Sequence, residues 1–350
     1  MTTCAREYRA EDAEAVRGLW ARCFGTARGG QSVEWLFRSG PAGEAPRSVI
    51  EVDGRVVAHA GVAPMRFRLS GEQVRGGYSV GAMTDPEFQG QGLFVRVGEH
   101  LYERLEREGF AFVAGFSNAR SHRLMTTRLG RTPLRPFPWC VRLLRPVAIA
   151  RSILLGPTRS GAAAALSGSA RTALESGGLV IEPCEAADDR LDQLWRRAEQ
   201  TVRIGGIRDA AFARWRFDTR PDARYEAWMA LRSGEPIAWA VHRDLELRGL
   251  RARFLVDWLV APGDPRDAVA FLRAIEGDAR RRDIALMSAL MPGEGPGAEA
   301  LGRAGYRRVP ERLHPQKIRF SVRGFGRHEG LPLLVDLAAW YLTWSDTDVV

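Results

Sequence analysis

The sequence predicts an α+β protein built as two similar halves, each a mixed, mostly antiparallel sheet flanked by helices. Three features of the chain point to it. The run SVIEVDGRVVAHAGV alternates about Asp53-Gly54, a two-residue turn signal that joins neighbouring antiparallel strands. The stretch FVRVGEHLYERLEREG places Phe94, Val97, Leu101 and Leu105 on one face, a helical period. The same order of strands and helices then recurs in the second half, an internal repeat on the scale of a domain.

Residues 4 to 8 read as a short strand, and Asp12 as the cap of a helix carrying Val16, Leu19, Trp20, Cys23 and Phe24 at helical spacing. After the first hairpin, MRFRLSGEQVRGGYSVGAM adds two strands across Ser70-Gly71. TDPEFQGQGLF, residues 84 to 94, follows, with Gly90 and Gly92 between strand and helix. Glycine lets a backbone approach a ligand closely, and the first turn of a helix has N–H groups with no internal partner. Such a turn is therefore a candidate anion site. The helix ends at Gly109, FAFVAGFS reads as a buried strand, and Asn118 opens a short helix that closes at Leu129-Gly130.

In the second half RDAAFARWRF is a helix, and YEAWMALRSGEPIAWAVHR is a hairpin turning at Ser233-Gly234. LRARFLVDWLVAPG is a long strand, DPRDAVAFLRAIEGDARRRD a helix, IALMSAL a strand and AEALGRAGY a short helix. Where the first copy has PEFQGQG, the second has PGDPRD, and the carboxylates of Asp264 and Asp267 oppose an anion there. The glycine loop is thus not something the fold requires. The expected division is a first domain at 1–140, an Arg- and Ala-rich linker at 141–178 with a flexible part around SGSA, a degenerate second copy at 179–324, and an aromatic tail at 325–350.

A chain of 350 residues is long enough for two cores, and 45% hydrophobic with 27% charged residues is the balance of a soluble protein. The formal charge of +9 favours anionic partners at long range. Nearly all of the positive charge is Arg, Lys317 being the single lysine, which a compositional bias also explains. From Gly109 to Leu174 there is no Asp or Glu, while Arg120, Arg123, Arg128, Arg131 and Arg135 fall there with five more arginines. That stretch is a positive face steering phosphorylated ligands, a solvated linker surface, or an amphipathic element touching a membrane. Cys4, Cys23, Cys140 and Cys184 are too scattered for a metal or redox pair, so no metal is expected and a reducing compartment is. No apolar run approaches a membrane span, the N-terminus is charged too early for a signal peptide, and no nucleic-acid-binding motif occurs. The expectation is a cytoplasmic protein without a specific nucleic-acid partner.

Residues 1 to about 135 resemble the GNAT superfamily of acyl-CoA-dependent N-acyltransferases, and the degraded repeat looks like the non-catalytic half of its tandem members. The family pattern Gln/Arg-x-x-Gly-x-Gly/Ala is matched at Gln89 and Gly92 and departs at Phe94. Thr84 and Pro86 before it, Asn118 after the next strand and the helix end at Leu129-Gly130 complete the resemblance. It implies acetyl-CoA or a longer acyl-CoA as co-substrate, with the pyrophosphate on the N–H groups of Gln89, Gly90, Gln91, Gly92, Leu93 and Phe94. It also implies a pantetheine arm lying between the strand ending near Thr84 and the strand 110–117, paired with Met83 and Thr84, and the Ala82 N–H facing the thioester carbonyl. The implied acceptor is a primary amine on a small molecule, such as an amino sugar or an amino-bearing natural product.

Amine attack on a thioester needs a neutral amine and a proton for the leaving thiolate. The Tyr that many family members place four residues before the closing Gly is Thr126 here. His122, one helical turn earlier, is a candidate proton donor or else a surface residue. His59 faces either the cleft or the opposite side of the sheet. Asp85, with Glu87, is a base acting through water or a solvated loop carboxylate, and Asn118 is a ligand-positioning amide. Trp340 or Tyr341 walls an acceptor pocket or packs in a core. Two other readings of the chain stay open: a catalytically silent module that binds acyl-CoA or a partner, and a transferase using aminoacyl-tRNA.

Overall fold

The computed structural model describes residues 4–25, 35–38, 40–135, 137–155, 173–176, 178–247, 249–290, 294–314 and 318–347. The first half runs β1 (Cys4–Glu7), α1 (Ala13–Phe24), β2 (Arg47–Val52), β3 (Arg55–Leu69), β4 (Glu72–Thr84), α2 (Leu93–Arg107), β5 (Phe112–Ser117), α3 (Ala119–Thr127) and β6 (Thr132–Leu134). It continues with β7 (Trp139–Leu143), α4 (Pro146–Leu155), β8 (Leu174–Ser176), β9 (Leu179–Cys184), α5 (Arg190–Ala198), β10 (Ile204–Gly206) and α6 (Ala210–Ala213). Then follow β11 (Glu226–Arg232), β12 (Glu235–Leu247), β13 (Leu250–Val260), α7 (Pro265–Arg281), β14 (Leu286–Leu290), α8 (Pro296–Arg303), β15 (Arg307–Arg308), β16 (Arg319–Gly324) and β17 (Trp340–Tyr341).

These elements form two compact units, residues 1–137, 219–223 and 315–337 in the first and the remainder in the second. The first sheet has the order β1-β2-β3-β4-β5-β16-β6. Every neighbouring pair along it is antiparallel except β4 with β5. Both hairpin turns carry positive φ at each central residue, Asp53 and Gly54 in one and Ser70 and Gly71 in the other, the handedness that matches strand twist. Helix α2 lays Leu93, Val97, Leu101, Tyr102 and Leu105 on one face of the sheet, where Ala58, Ala60, Val62 and Val113 meet them. On the other face Val16 and Leu19 of α1 pack with Val49, Val56 and Met83.

The second sheet runs β15-β7-β14-β13-β12-β11-β9-β8 and again has one parallel pair, β13 with β14. Each sheet takes the strand beside its parallel pair from the other half of the chain. β16 lies antiparallel to β5 in the first, and β7 antiparallel to β14 in the second. The sequence division differs from this at three places. The expected linker opens on a strand whose Cys140 is fully buried, and its SGSA part lies outside the described residues. Residues 319–324, expected in the second domain, carry Phe320 and Val322 into the first sheet. The aromatic tail divides, because Leu331–Val335 packs on β16 and the residues from Ala338 onward belong to the second unit. In the first two cases a strand edge left open by the local half is completed by a distant segment, a pairing that local periodicity does not report.

In the second unit the tail is core. Trp340, Leu342 and Trp344 are buried, with Trp344 edge-on to Phe254 of β13 and its Nε1 3.2 Å from Ser288 Oγ of β14. The Tyr341 hydroxyl donates to the Trp258 carbonyl. Trp340 is thus part of a core, whereas Tyr341 is half-buried, and both line a cavity of about 210 Å³ in this unit. No helix among the described residues is long and apolar enough to cross a membrane.

Candidate active site

Strands β4 and β5 pair only through Gly76, Gly77 and Tyr78 against Phe112, Val113 and Ala114. Beyond Tyr78 the two strands separate, and six residues of β4, Ser79 to Thr84, run on without β5 beside them. A bulge sharpens this. The β3–β4 register passes from His59↔Met83 to Gly61↔Val80, so Gly81 and Ala82 together oppose Ala60. Gly81 sits at φ +64, the left-handed conformation that glycine tolerates at such a bulge. The bulge leaves Gly81 and Ala82 out of the regular β3–β4 ladder, with Gly81 O held by His59 Nδ1 at 2.8 Å.

The loop above this opening leads from Thr84 into α2. A short 3-10 turn, Pro86–Phe88, precedes Gly90 and Gly92, with φ of +82 and +75. A Cβ at either glycine would meet nothing within 4 Å, so positive φ and open space, rather than packing, define both positions. Gly92 is the N-cap of α2 and supplies no side-chain cap. Its carbonyl accepts from the Val95 and Arg96 N–H groups, and no backbone N–H from Gly90 to Phe94 makes a hydrogen bond among the described residues. The helix is 15 residues long, so its dipole adds to these unsatisfied donors. The Gln89 side chain fastens the loop, its Nε2 donating to Thr84 O at 3.3 Å and its Oε1 accepting from Arg120 Nη2 at 2.8 Å. Phe94 is half-buried and packs against the α2 core.

The corresponding place in the second unit is closed by its own acids. Asp264 is the N-cap of α7 and accepts from the Arg266 N–H at 2.9 Å, while Asp267 is paired with Arg232. One helix N-terminus is open and the other is neutralised.

The residues expected to do chemistry fall in different places. Asp85 is 1% exposed; its Oδ2 receives Arg22 Nε at 2.7 Å and Arg55 Nη2 at 2.6 Å, and its Oδ1 accepts from the Glu87 N–H. Burial would raise its carboxyl, but the two guanidiniums outweigh that and hold it below the usual carboxylate range. Asp85 therefore anchors the loop to α1 and β3 and has no acceptor capacity suited to a base. Exposed Glu87 pairs with Arg55 at 3.0 Å. His59 is fully buried on the α1 face, its Nδ1 2.8 Å from Gly81 O between Tyr8 and Phe37. Burial pushes it down to about 4, so at neutral pH it is an uncharged brace for the bulge. Asn118 caps α3, with Oδ1 accepting from the Arg120 and Ser121 N–H groups at 3.0 Å. The Thr126 hydroxyl donates back to His122 O at 3.0 Å, within its own helix.

His122 is the remaining candidate. It is buried on α3 with Nδ1 3.2 Å from Ser117 Oγ, and Ser117 ends β5, the strand that diverges from β4. Burial, and then Arg319, Arg135 and Arg131, lower its pKa, which makes it neutral near pH 7. Sequence reasoning missed Ser117 and the arginines on Asp85. Ser117 is the polar last residue of an apolar run, a visible signal; Arg22 and Arg55 are separated from Asp85 by 63 and 30 positions and leave none. Among the described residues no cluster of three His, Cys, Asp or Glu could hold a metal ion.

Residues 5–130 match the family model described as the acetyltransferase (GNAT) domain. That match covers about a third of the chain, and over it the chain is similar to a GNAT acetyltransferase domain. Among solved structures, a probable N-acyltransferase from Enterococcus faecalis aligns over 93% of this chain and 73% of its own, at 12% identity and a TM-score of 0.59. A GCN5-related N-acetyltransferase from Anabaena variabilis aligns over 92% and 72%, at 13% identity and 0.61. The N-myristoyltransferase of Saccharomyces cerevisiae, solved with myristoyl-CoA, aligns over 92% and 83%, at 12% identity and 0.56. These likenesses are of fold, and they extend over the second unit as well as the first. No curated protein matches the chain in sequence.

Proposed function

We propose that the protein transfers an acetyl or longer acyl group from coenzyme A to the primary amine of a small molecule, such as an amino sugar or an amino-bearing natural product, with its one active site in the first unit. The observation that carries this is the uncapped N-terminus of α2 at the head of the β4–β5 opening. The pyrophosphate binds the N–H groups of residues 89–94, and the pantetheine arm descends the opening beside Met83 and Thr84. At the bulge the Ala82 N–H stabilises the oxyanion that forms on the thioester carbonyl. The compartment is the cytoplasm, where acyl-CoA is supplied.

His122 moves the proton. With Nδ1–H donated to Ser117 Oγ, and the Ser117 hydroxyl donated to Arg319 O at 3.5 Å, Nε2 is the acceptor. Nε2 takes a proton from the amine as the C–N bond forms, and the imidazolium returns it to sulfur as the C–S bond breaks. His122→Gln is expected to lower kcat by about 10²–10⁴-fold with acyl-CoA affinity retained. The acid limb of the wild-type rate profile is expected below the ordinary histidine value of about 6.5, because its neutral form is the active one. An acid limb unchanged in the variant would remove His122 from this role.

Calorimetry with CoA, acetyl-CoA and octanoyl-CoA, followed by thiol release in a panel of small amines, tests the whole reading. Binding with amine-dependent thiol release is expected. Binding without release for any amine would overturn the transferase step, and no binding by folded protein would overturn the donor.

A further inference from the structure

We propose that the floor of the β4–β5 opening is an anion subsite, and that the preferred acyl donor is the coenzyme A thioester of a short dicarboxylic acid. The inference rests on the acyl-CoA reading above and specifies its acyl group. Its centre is Arg131, which follows α3 and is 2% exposed. Nε donates to the Tyr102 hydroxyl at 2.6 Å, and among the described residues neither Nη1 nor Nη2 has a hydrogen-bond partner. An arginine side chain cannot discard its charge at any physiological pH, so a buried guanidinium with both ends free is costly until an anion arrives.

The free ends lie at the point where the strands part. A Cβ on Gly115 of β5 would stand 2.9 Å from Arg131 Nη1 and 3.2 Å from Ser79 Cβ of β4. Gly115 and Ser79 are each the first residue past the last β4–β5 pair, Tyr78↔Ala114. Glycine at 115 thus leaves the volume that the guanidinium occupies. A second unsatisfied group shares this face. Ser321 of β16 pairs directly with Gly115, is fully buried, and its Oγ has no partner among the described residues. A forked cation and a hydroxyl, both buried and both unspent, flank one small residue at the bottom of the opening. Planar, bidentate recognition of a carboxylate is what a guanidinium fork does best.

The position relative to the thioester sets the length of the acid. Ala82, proposed to face the thioester carbonyl, is three residues along β4 from Ser79, about 10 Å of strand. An acyl chain of four or five carbons spans about 5–6 Å to its carboxylate, and with a hydrogen bond of about 3 Å at each end it bridges that interval between the Ala82 N–H and the Nη groups. An unsubstituted chain of the same length would leave the guanidinium dry and unpaired, which disfavours it.

The test is calorimetric binding of CoA, butyryl-CoA, succinyl-CoA and glutaryl-CoA to the wild type, Arg131→Gln and Ser321→Ala. In the wild type, the better of the two diacid thioesters is expected to bind at least about tenfold tighter than butyryl-CoA. In Arg131→Gln that margin is expected to collapse to about threefold or less, and in Ser321→Ala to shrink partway. If Arg131→Gln does not fold, the wild-type margin and its reduction in Ser321→Ala decide the matter. Butyryl-CoA binding as tightly as both diacid thioesters would overturn the subsite and leave the acyl-CoA reading standing. A margin unaffected by either substitution would also overturn it. Failure of every ligand, CoA included, to bind folded wild type would overturn both.

Discussion

Gly92→Asp is expected to weaken CoA binding by at least about a hundredfold while leaving the protein folded. Placing an anion about 4 Å from another at an effective dielectric near 20 costs about 4 kcal/mol, and a pyrophosphate offers more than one charge. The substitution is otherwise mild. Nothing lies within 4 Å of a Cβ at this position, and Asp is among the residues that accept a left-handed conformation, here φ +75. A carboxylate at a helix N-cap also stabilises the helix it opens. The second unit has already made this exchange, with Asp264 capping α7 through the Arg266 N–H. Gly92→Ala is the control, since it imposes the backbone cost without the charge and should weaken binding by tenfold or less, about 1.4 kcal/mol at most. Calorimetry on both variants and a thermal melt of each decide the outcome. Equal losses in the two would mean that the loop acts by backbone shape alone, and no loss in Gly92→Asp would move the pyrophosphate away from α2.

The fold was legible wherever local chemistry decides local structure. Asp53-Gly54 and Ser70-Gly71 turn as their positive φ values require, and the Phe94, Val97, Leu101 and Leu105 stripe became the packed side of α2. The asymmetry between the two helix N-termini was legible too, because a cap is a property of one or two residues. What the sequence concealed is what distance along the chain conceals. β16 reaches β5 across about two hundred residues, bringing Ser321 beside Gly115, and nothing in RFSVRG announces that neighbour. The same holds for Asp85. Read alone it is a loop carboxylate; with Arg22 and Arg55 on it, it becomes the buried tie that fixes the loop to α1 and β3. His59 shows the converse, a histidine in a strand whose burial, invisible in the sequence, leaves it uncharged and bound to the bulge at Gly81.

Removing Arg208 should produce the largest loss of stability, and the reason lies in how the tail is tied to β13. Arg208 is fully buried, with Nε 2.7 Å from Asp257 on β13 and Nη2 2.6 Å from Asp346 in the tail. Ser345 Oγ donates to Asp257 at 2.7 Å and the Thr343 N–H to Asp346 at 2.8 Å, so one guanidinium holds the tail segment against the strand. Arg208→Met keeps the bulk and deletes the charge, leaving two carboxylates buried without their cation, a change that costs about 3–5 kcal/mol. For a unit of this size that is a drop in melting temperature on the order of 10 °C at pH 7. The pH dependence distinguishes lost charge from lost packing. Burial already pushes the Asp257 carboxyl above its ordinary value, and Arg208 is the chief influence pulling it back. Without Arg208 the folded-state pKa rises further above the unfolded value of about 3.9, so the folded variant binds the extra proton. A raised carboxyl is accommodated at low pH and penalised as pH climbs through that window. The deficit relative to wild type is therefore expected to narrow steadily from pH 7 towards pH 4. A deficit of the same size at both ends would assign the loss to packing, and a variant melting within about 2 °C of wild type at pH 7 would show that the tail is held by its buried tryptophans instead.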